Sequence, residues 1–576
     1  MSTMYIDGVK CSIGAESNIL ELALNNGIDI PNLCYCDSLA PYGGCRLCIV
    51  EDERGAIVTA CTVKPKENMR IRTNTAKLRE YRRSIIELML ESHQTECNSC
   101  KKCGRCKLQT YAKRFGAKAG APADWNPGPV DDSSPSIIRD PSKCILCAKC
   151  VRVCKNIQDV AAIDLAWRGA NAAVTCGFGM KLADTDCVGC GQCAAVCPTA
   201  AITVKDDTRR FWDALLDPDK KVYVQVAPAV RVGLAEEFEI PAVQSVGGKL
   251  VSALRLMGAD KVYSTADSAF LTLEEESREL TERMKSGKKL PMFSSYCPAW
   301  VHHVENKHPQ LMTELSAAAS PMAILGGLIR KQFPEENAVS VAVMSCTAAK
   351  AEALRPELTK NGRKLVDIVI STQELAAMIR EYGIKLQSLP DTEPDKFFER
   401  VSGDGELKPA VTLTIDPNKC IGCTKCARSC PVSAISGSPK KAHSIDPEKC
   451  IRCRTCKVGC PAGAISDTTG FDGELRIAVA NGLANADRLL KKIADGEASY
   501  DFVEVMACPN GCIGGGGQPP ACNSRKAERN DGLFAADEEC DLRSSDLNPA
   551  LDGIYKMLGK RTHELLHVHY PDHGKH

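Results

Sequence analysis

From about residue 215 onward the chain alternates short apolar runs with amphipathic stretches. The runs KVYVQVA (221–227), KVYS (261–264), SVAVMSC (340–346), VDIVIS (366–371), LRIAVA (475–480) and YDFVEVMAC (500–508) have the composition of strands buried in a parallel sheet. Between them, LTLEEESRELTERM (271–284) and TQELAAMIREYG (372–383) place apolar residues at helical intervals. This part of the chain reads as α/β. Residues 1–75 alternate instead like a small β-rich fold, with a short helix near residues 18–26.

Length and charge narrow the picture. The 576 residues suffice for about three to five ordinary domains. With 73 Lys+Arg against 72 Asp+Glu, the formal charge of +1 argues against a dedicated nucleic-acid or anionic-membrane binder. No apolar run approaches the roughly 20 residues of a membrane span. The start, MSTMYIDGVK, has no basic segment followed by an apolar stretch, so the expectation is a cytoplasmic protein. In a reducing compartment, 33 cysteines point to metal rather than to disulfides.

The spacing of those cysteines says which metal. One pattern occurs four times, as Cys144, Cys147, Cys150, Cys154; Cys187, Cys190, Cys193, Cys197; Cys420, Cys423, Cys426, Cys430; and Cys450, Cys453, Cys456, Cys460. This is the bacterial ferredoxin spacing for [4Fe–4S] clusters, in which the fourth Cys of each run ligates the other cluster of the pair. Structural zinc would show paired cysteines rather than triplets with a trailing Cys. Two tandem two-cluster modules are expected. The N-terminal region adds Cys34, Cys45, Cys48 and Cys61, two close thiols on a Gly-rich loop and two remote ones, a set suited to a [2Fe–2S] cluster, with Cys36 as a spare or substitute thiol. His93, Cys97, Cys100 and Cys106 follow, the His standing just before a Cys group as an imidazole ligand would; Cys103 is the alternative fourth ligand.

In the α/β region the remaining cysteines sit at strand ends, Cys297 in FSSYCPAW, Cys346 in MSCTAAKAE, and Cys508 with Cys512 in EVMACPNGCIGGGGQPP. Strand C-terminal ends are where open α/β sheets place their chemistry, so these four thiols are candidates for one buried metal site. The glycine run 514–517 lacks the Gly-Lys-Ser/Thr ending of a phosphate loop, and backbone crowding against a cluster is the better reading.

The order of these sites and the three Cys-bearing loops resemble the [FeFe]-hydrogenase large subunit over nearly the whole chain except about residues 405–470. The resemblance implies that Cys297, Cys346, Cys508 and Cys512 hold the [4Fe–4S] half of an H-cluster, with Cys512 bridging to a diiron site. Met344, Lys350, Met506, Gly515 and Gly516 would border that cofactor. It also implies that Glu276, Glu279, Arg283 and Ser316 match outer members of the family's proton path. Ligands would then number 27 cysteines plus His93, leaving Cys11, Cys36, Cys103, Cys176, Cys522 and Cys540. The tail RTHELLHVHY looks like the family's C-terminus, which makes its His-Glu-x-x-His an accidental protease motif.

Departures are equally plain. The family's proton-relaying first Cys of Thr-Ser-Cys-Cys-Pro is here Tyr296, and a phenol of pKa near ~10 is a poorer shuttle than a thiol near ~8.5. The Lys that donates to a cyanide ligand is Ala349, with Lys350 the nearest cation, one position off, and the Pro before the second-loop Cys is Ser345. The Gly-rich cover of the diiron site is absent and the second ferredoxin module stands in its place. The expected fold class is α+β multidomain: a β-grasp [2Fe–2S] ferredoxin-like domain at 1–77, a His/Cys3 domain at 78–120, a two-cluster ferredoxin domain at 135–207, a hydrogenase-like α/β domain at 208–408 and 470–576, and a second two-cluster ferredoxin domain inserted at 411–467.

Two function classes follow, a divergent hydrogenase that interconverts H2 with protons and electrons, and an electron-transfer subunit whose diiron site is lost or repurposed. The first 200 residues also resemble the large peripheral-arm subunit of respiratory complex I and the catalytic subunit of NADH-linked, electron-bifurcating hydrogenases. No GxGxxG fingerprint follows a strand, so flavin and NAD(H) are expected on NADH-dehydrogenase-like partner subunits of a hetero-oligomer, with ferredoxin as the other carrier. The inserted module carries nine Lys/Arg and three acids across residues 411–465 and is expected to be an electron port beside the special cluster.

Overall fold

The computed structural model describes residues 2–118, 126–177, 179–244, 246–396, 413–430, 432–446, 449–450, 455–467, 475–520, 523–538, 555, 558–559 and 562–570. The N-terminal region is a five-stranded mixed sheet in the order Val9–Ser12, Thr3–Ile6, Arg70–Arg72, Ile49–Asp52, Ile57–Thr59. The helix Ile19–Asn25 lies where its pattern predicts it, because the Asn18 side chain accepts from Glu21 N and caps it. Its buried Ile19, Leu20 and Leu22 join Met4, Ile6 and Val50 in one core. The following helix, Ala76–Glu91, is tied to this sheet by buried Arg82, which donates to the carbonyls of Leu47, Ile49 and Thr73.

The two regions that carry the repeated cysteine pattern have one plan. In the first, strands Ile137–Arg139 and Ile202–Val204 pair antiparallel and helices Lys149–Asn156 and Gln192–Val196 pack on each other. In the second, Leu413–Ile415 pairs with Ile465–Asp467 and helices Lys425–Ser429 and Thr455–Val458 pack together. Its apolar centre is its own, built from Leu413, Ile435 and Ile465 around Cys426 and Cys456.

The α/β region divides into two parallel sheets. Four strands run in the order Lys261–Ser264, Lys221–Val226, Ala338–Met344, Ile368–Ser371, and three in the order Met292–Phe293, Phe502–Met506, Ile477–Asn481. The run at 475–480 departs from expectation, since Ile477 and Val479 are more than half exposed. Among the described residues this strand has one neighbour, Phe502–Met506, and the helix Leu483–Ala494 packs on it. Met292–Phe293 is too short to announce itself by periodicity. The helical pattern at 271–284 is the middle of a longer helix, Ala266–Ser286. Among the described residues, no helix is long and apolar enough to cross a membrane.

The helix Asn523–Glu538 secures the glycine-rich loop from outside. Its buried Arg529 donates to Glu236, to Ile513 O and to Pro519 O. Arg529→Met leaves those carbonyls without a donor, and a loss of about 3–5 kcal/mol is expected from breaking such a buried pair. Urea unfolding of the anaerobically prepared protein measures it, and an unchanged midpoint would show that the loop does not depend on this clamp.

Candidate metal centre

Three strand ends deliver the four thiols. Cys297 follows Met292–Phe293 and N-caps the helix Pro298–Lys307, Cys346 follows Ala338–Met344, and Cys508 and Cys512 flank the turn after Phe502–Met506. Cys508 is buried, Cys297 and Cys346 are half-buried and Cys512 is exposed. Loss of solvation pushes the Cys508 thiol up to about 12 and raises Cys297 and Cys346. Their mutual repulsion adds to this, Cys297 acting on all three others. Four thiols crowded in a low-dielectric site resist ionisation unless a cationic centre compensates them, and an iron–sulfur cluster is such a centre.

The glycine run closes this site against the first ferredoxin module. A Cβ on Gly515 would lie 2.2 Å from Ser345 O, and one on Gly516 would lie 2.4 Å from Cys190 O. These two glycines, expected beside the cofactor, are in contact with protein backbone, because only a bare Cα lets the two loops approach so closely. Gln192 Nε2 donates to Gly514 O at 2.7 Å, and Thr347 Oγ1 donates to Gly189 O at 2.6 Å. The thiols on the two sides are near enough that Cys508 helps to raise Cys190.

The other thiols fall into the groups that their spacing implies. Cys144, Cys147, Cys150 and Cys197 line one cavity, and Cys420, Cys423, Cys426 and Cys460 line another. Cys193, raised by burial, is raised further by Cys190, Cys187 and Cys154. The fourth thiol is thus exchanged between the runs. Cys430, Cys450 and Cys456 lie together in the core of the second module, and Cys453 lies outside the described residues. In the N-terminal set, Cys45 N approaches Cys34 Sγ at 3.4 Å. Chiefly through its bond with Cys45, the Cys34 thiol is lowered to about 5, while Cys48 is raised and Cys61 lowered as a second pair. Arg152 donates to Cys34 O and Ala40 O, joining this loop to the first ferredoxin module.

His93 is buried and its Nδ1 has no partner among the described residues, whereas Cys103 is exposed. A buried ring nitrogen without a partner is costly unless a metal occupies it, which favours His93 beside Cys97, Cys100 and Cys106. Lys102 Nζ donates to Cys197 O at 3.3 Å and brings this group against the ferredoxin module.

The expected proton-path residues converge. Arg283 and Ser316 both hold Glu279, Ser316 Oγ at 3.0 Å. Glu276 is buried with Oε1 unpartnered, and burial, assisted by Glu504 and Glu279, pushes its carboxyl up to about 8. Tyr296 donates its hydroxyl proton to Glu504 Oε1, and burial and then this carboxylate raise the phenol far above its usual range. Cys512 and Cys297 add to that rise, so Tyr296 lies near both Glu504 and the metal-site thiols.

Glu504 escaped sequence reasoning, although its place two residues before Met506 on one strand puts both on the same face. Buried Glu352, bonded by Ser320 Oγ and pushed up to about 7 by burial, was likewise unmarked. Met344 is buried at its strand end, and the Met506 sulfur rests against Gly511. Lys350 corrects an expectation. Its ammonium donates to Asp207 at 2.7 Å, Glu374 at 3.0 Å and Val369 O at 2.7 Å, and so is spent within the protein. One step along a helix turns a side chain by about 100°, enough to send it to another face.

Gly516→Ala should force the Cys190 loop away from the Cys346 and Cys512 loops. The expected cost is about 1–3 kcal/mol, as for other overpacked interiors. Thermal unfolding of the cluster-loaded protein tests this, and wild-type stability would mean that the two loops have slack.

Known protein families match successive parts of the chain. Residues 220–516 match the iron-only hydrogenase large subunit, C-terminal domain; residues 523–573 match the iron hydrogenase small subunit. Residues 1–76 match a 2Fe-2S iron-sulfur cluster binding domain, 82–120 the NADH-ubiquinone oxidoreductase-G iron-sulfur binding region, and 143–201 a 4Fe-4S dicluster domain. The chain is 37% identical to the NADP-reducing hydrogenase subunit HndD of Solidesulfovibrio fructosivorans over 99% of both chains. It is 32% identical to iron hydrogenase 1 of Clostridium pasteurianum over 99% of this chain and 100% of that one. It is also 31% identical to the cytosolic Fe-S cluster assembly factor narfl of Danio rerio, over 53% of this chain and 74% of that protein. Four converging loop thiols, three upstream cluster domains and this end-to-end similarity lead to one conclusion: the chain belongs to the iron-only, or [FeFe], hydrogenase large-subunit family and is an iron–sulfur oxidoreductase of that family.

Proposed function

We propose that this protein interconverts H2 with protons and electrons at an H-cluster held by Cys297, Cys346, Cys508 and Cys512. The observation that carries this reading is the glycine-mediated seating of the Cys190 loop on the Cys346 and Cys512 loops, which gives that site a direct electron neighbour. When bound, the diiron half supplies the metal at which H2 is split or formed. The chain's own residues hold and move protons. Protonated Glu276 is a proton store, Glu279 with Ser316 and Arg283 forms the outer station, and Tyr296 with Glu504 stands nearest the metal thiols.

Electrons pass through seven clusters in this reading, one [2Fe–2S] and six [4Fe–4S], to NADH-dehydrogenase-like flavin and iron–sulfur partners and to ferredoxin in a cytoplasmic hetero-oligomer. Kinship with an NADP-reducing hydrogenase subunit and with the complex I G-subunit region supports the choice of partners. The module at 411–467 is a second electron port, beside the special cluster. A second reading, an electron-transfer subunit with the diiron site lost or repurposed, draws on Tyr296 at the relay position and Lys350 turned away.

Infrared spectroscopy of protein made with the hydrogenase maturation machinery separates the two. Carbon monoxide and cyanide bands are expected, and their absence would favour the second reading. With the bands present, Tyr296→Cys should raise H2 turnover by roughly 10²–10⁴-fold, the usual worth of general acid–base help. No gain would show that proton delivery at Tyr296 does not limit the rate.

The raised Glu276 carboxyl has its own signature. Its acid form is favoured in the fold, so its contribution is full below the ordinary carboxylate range and is lost as pH rises through about 8. Glu276→Gln should remove that pH dependence, so that the variant gains on the wild type in urea midpoint as pH rises through this window. Parallel pH profiles of the two proteins would show that Glu276 is ionised throughout.

A further inference from the structure

Away from the thiol sites, two imidazoles and a carboxylate converge at the C-terminal end of the helix Pro298–Lys307. His303 Nε2 lies 2.8 Å and His308 Nε2 2.9 Å from the same atom, Asp487 Oδ1. The two rings meet edge to face with centroids 5.5 Å apart, and one donor atom from each residue lies within 4.8 Å of the other two. His303 is 1% exposed, while His308 keeps a solvent-facing side. Against the cost of burial, the bonds from His303 and His308 hold the Asp487 carboxyl well below the usual carboxylate range. Lys307 approaches the other oxygen, Oδ2, at 3.8 Å and leaves Oδ1 to the two rings.

We propose that His303, His308 and Asp487 form a binding site for a divalent transition-metal ion, zinc foremost, independent of the iron–sulfur clusters. Two imidazole nitrogens and one carboxylate oxygen are an ordinary nitrogen–oxygen donor set for Zn2+, and water at the His308 side supplies the fourth position. Binding requires a free lone pair on Nε2 of both rings, so zinc and protons compete for these two atoms. The set contains no thiol, which distinguishes it from every cluster site on the chain.

Its position gives the ion a structural task. The helix Pro298–Lys307 starts at Cys297, a ligand of the special site, and Asp487 lies on the helix Leu483–Ala494. That second helix receives the loop after Cys154, since Ala484 N donates to Ile157 O, and Lys307 donates to Asp159 O in the same loop. An ion at Asp487 therefore fastens a helix beginning at one cluster ligand to a helix that carries the loop following a ligand of the neighbouring cluster.

Zinc titration of the anaerobic, cluster-loaded full chain tests the site, with metal analysis after desalting and zinc X-ray absorption as readouts. One zinc per chain is expected, with nitrogen and oxygen neighbours only and the outer-shell signature of imidazole. Asp487→Asn and His308→Gln, both at the accessible side, should each weaken zinc retention by at least about 10–100-fold, a range that even outer-shell changes produce at metal sites, while iron content and cluster spectra stay as in the wild type. No retained zinc in the wild type would overturn the proposal. Zinc with sulfur neighbours, or zinc retained equally by the variants, would also overturn it by placing the ion in cysteine sites.

Discussion

The contact on which the rest of this molecule depends is a backbone-to-backbone approach between loops from different domains. Gly516 stands against Cys190 and Gly191, while Gly515 stands against Ser345. Any side chain at those two positions would hold the loops apart, and electron transfer between clusters falls off with separation. The hydrogen bonds from Gln192 to Gly514 and from Thr347 to Gly189 fix the approach in register. The special thiols and the ferredoxin thiols therefore share one desolvated region, in which Cys508 acts on Cys190.

That desolvation governs the chemistry around it. The same burial that makes thiols reluctant to ionise keeps Glu276 protonated and raises Glu352. Buried acids that retain a proton near neutral pH can accept and return one, which exposed carboxylates cannot do. Tyr296 shows the converse. Its hydroxyl is committed to Glu504. The phenol is hard to ionise there, and Glu504 gives its proton a fixed destination.

Lys350 shows what a buried charge requires in this interior. In a site this dry, an ammonium must be neutralised, and Asp207 and Glu374 do so at hydrogen-bonding distance. The lysine consequently braces the strand end at Ile368–Ser371 against the segment that leaves the ferredoxin module.

Much of the thiol grouping was legible from spacing alone. A Cys-x2-Cys-x2-Cys loop keeps three thiols close together along the chain, so local sequence already groups them. The strands carrying Cys346 and Cys508 were legible too, because buried parallel strands are apolar along their whole length. Other features depend on which elements become neighbours. Tyr296 meets Glu504 across 208 residues, and His303 meets Asp487 across 184. Strand order in the three-stranded sheet creates the first pairing, and the packing of two helices beside that sheet creates the second. The exposed edge at Ile477 and Val479 has the same origin, since hydrophobicity predicts a strand but not how many neighbours it will have. The sequence determined which thiols stand close together, through local spacing; tertiary structure decided which carboxylate, glycine or lysine stands beside them, because those contacts exist only once distant segments are packed.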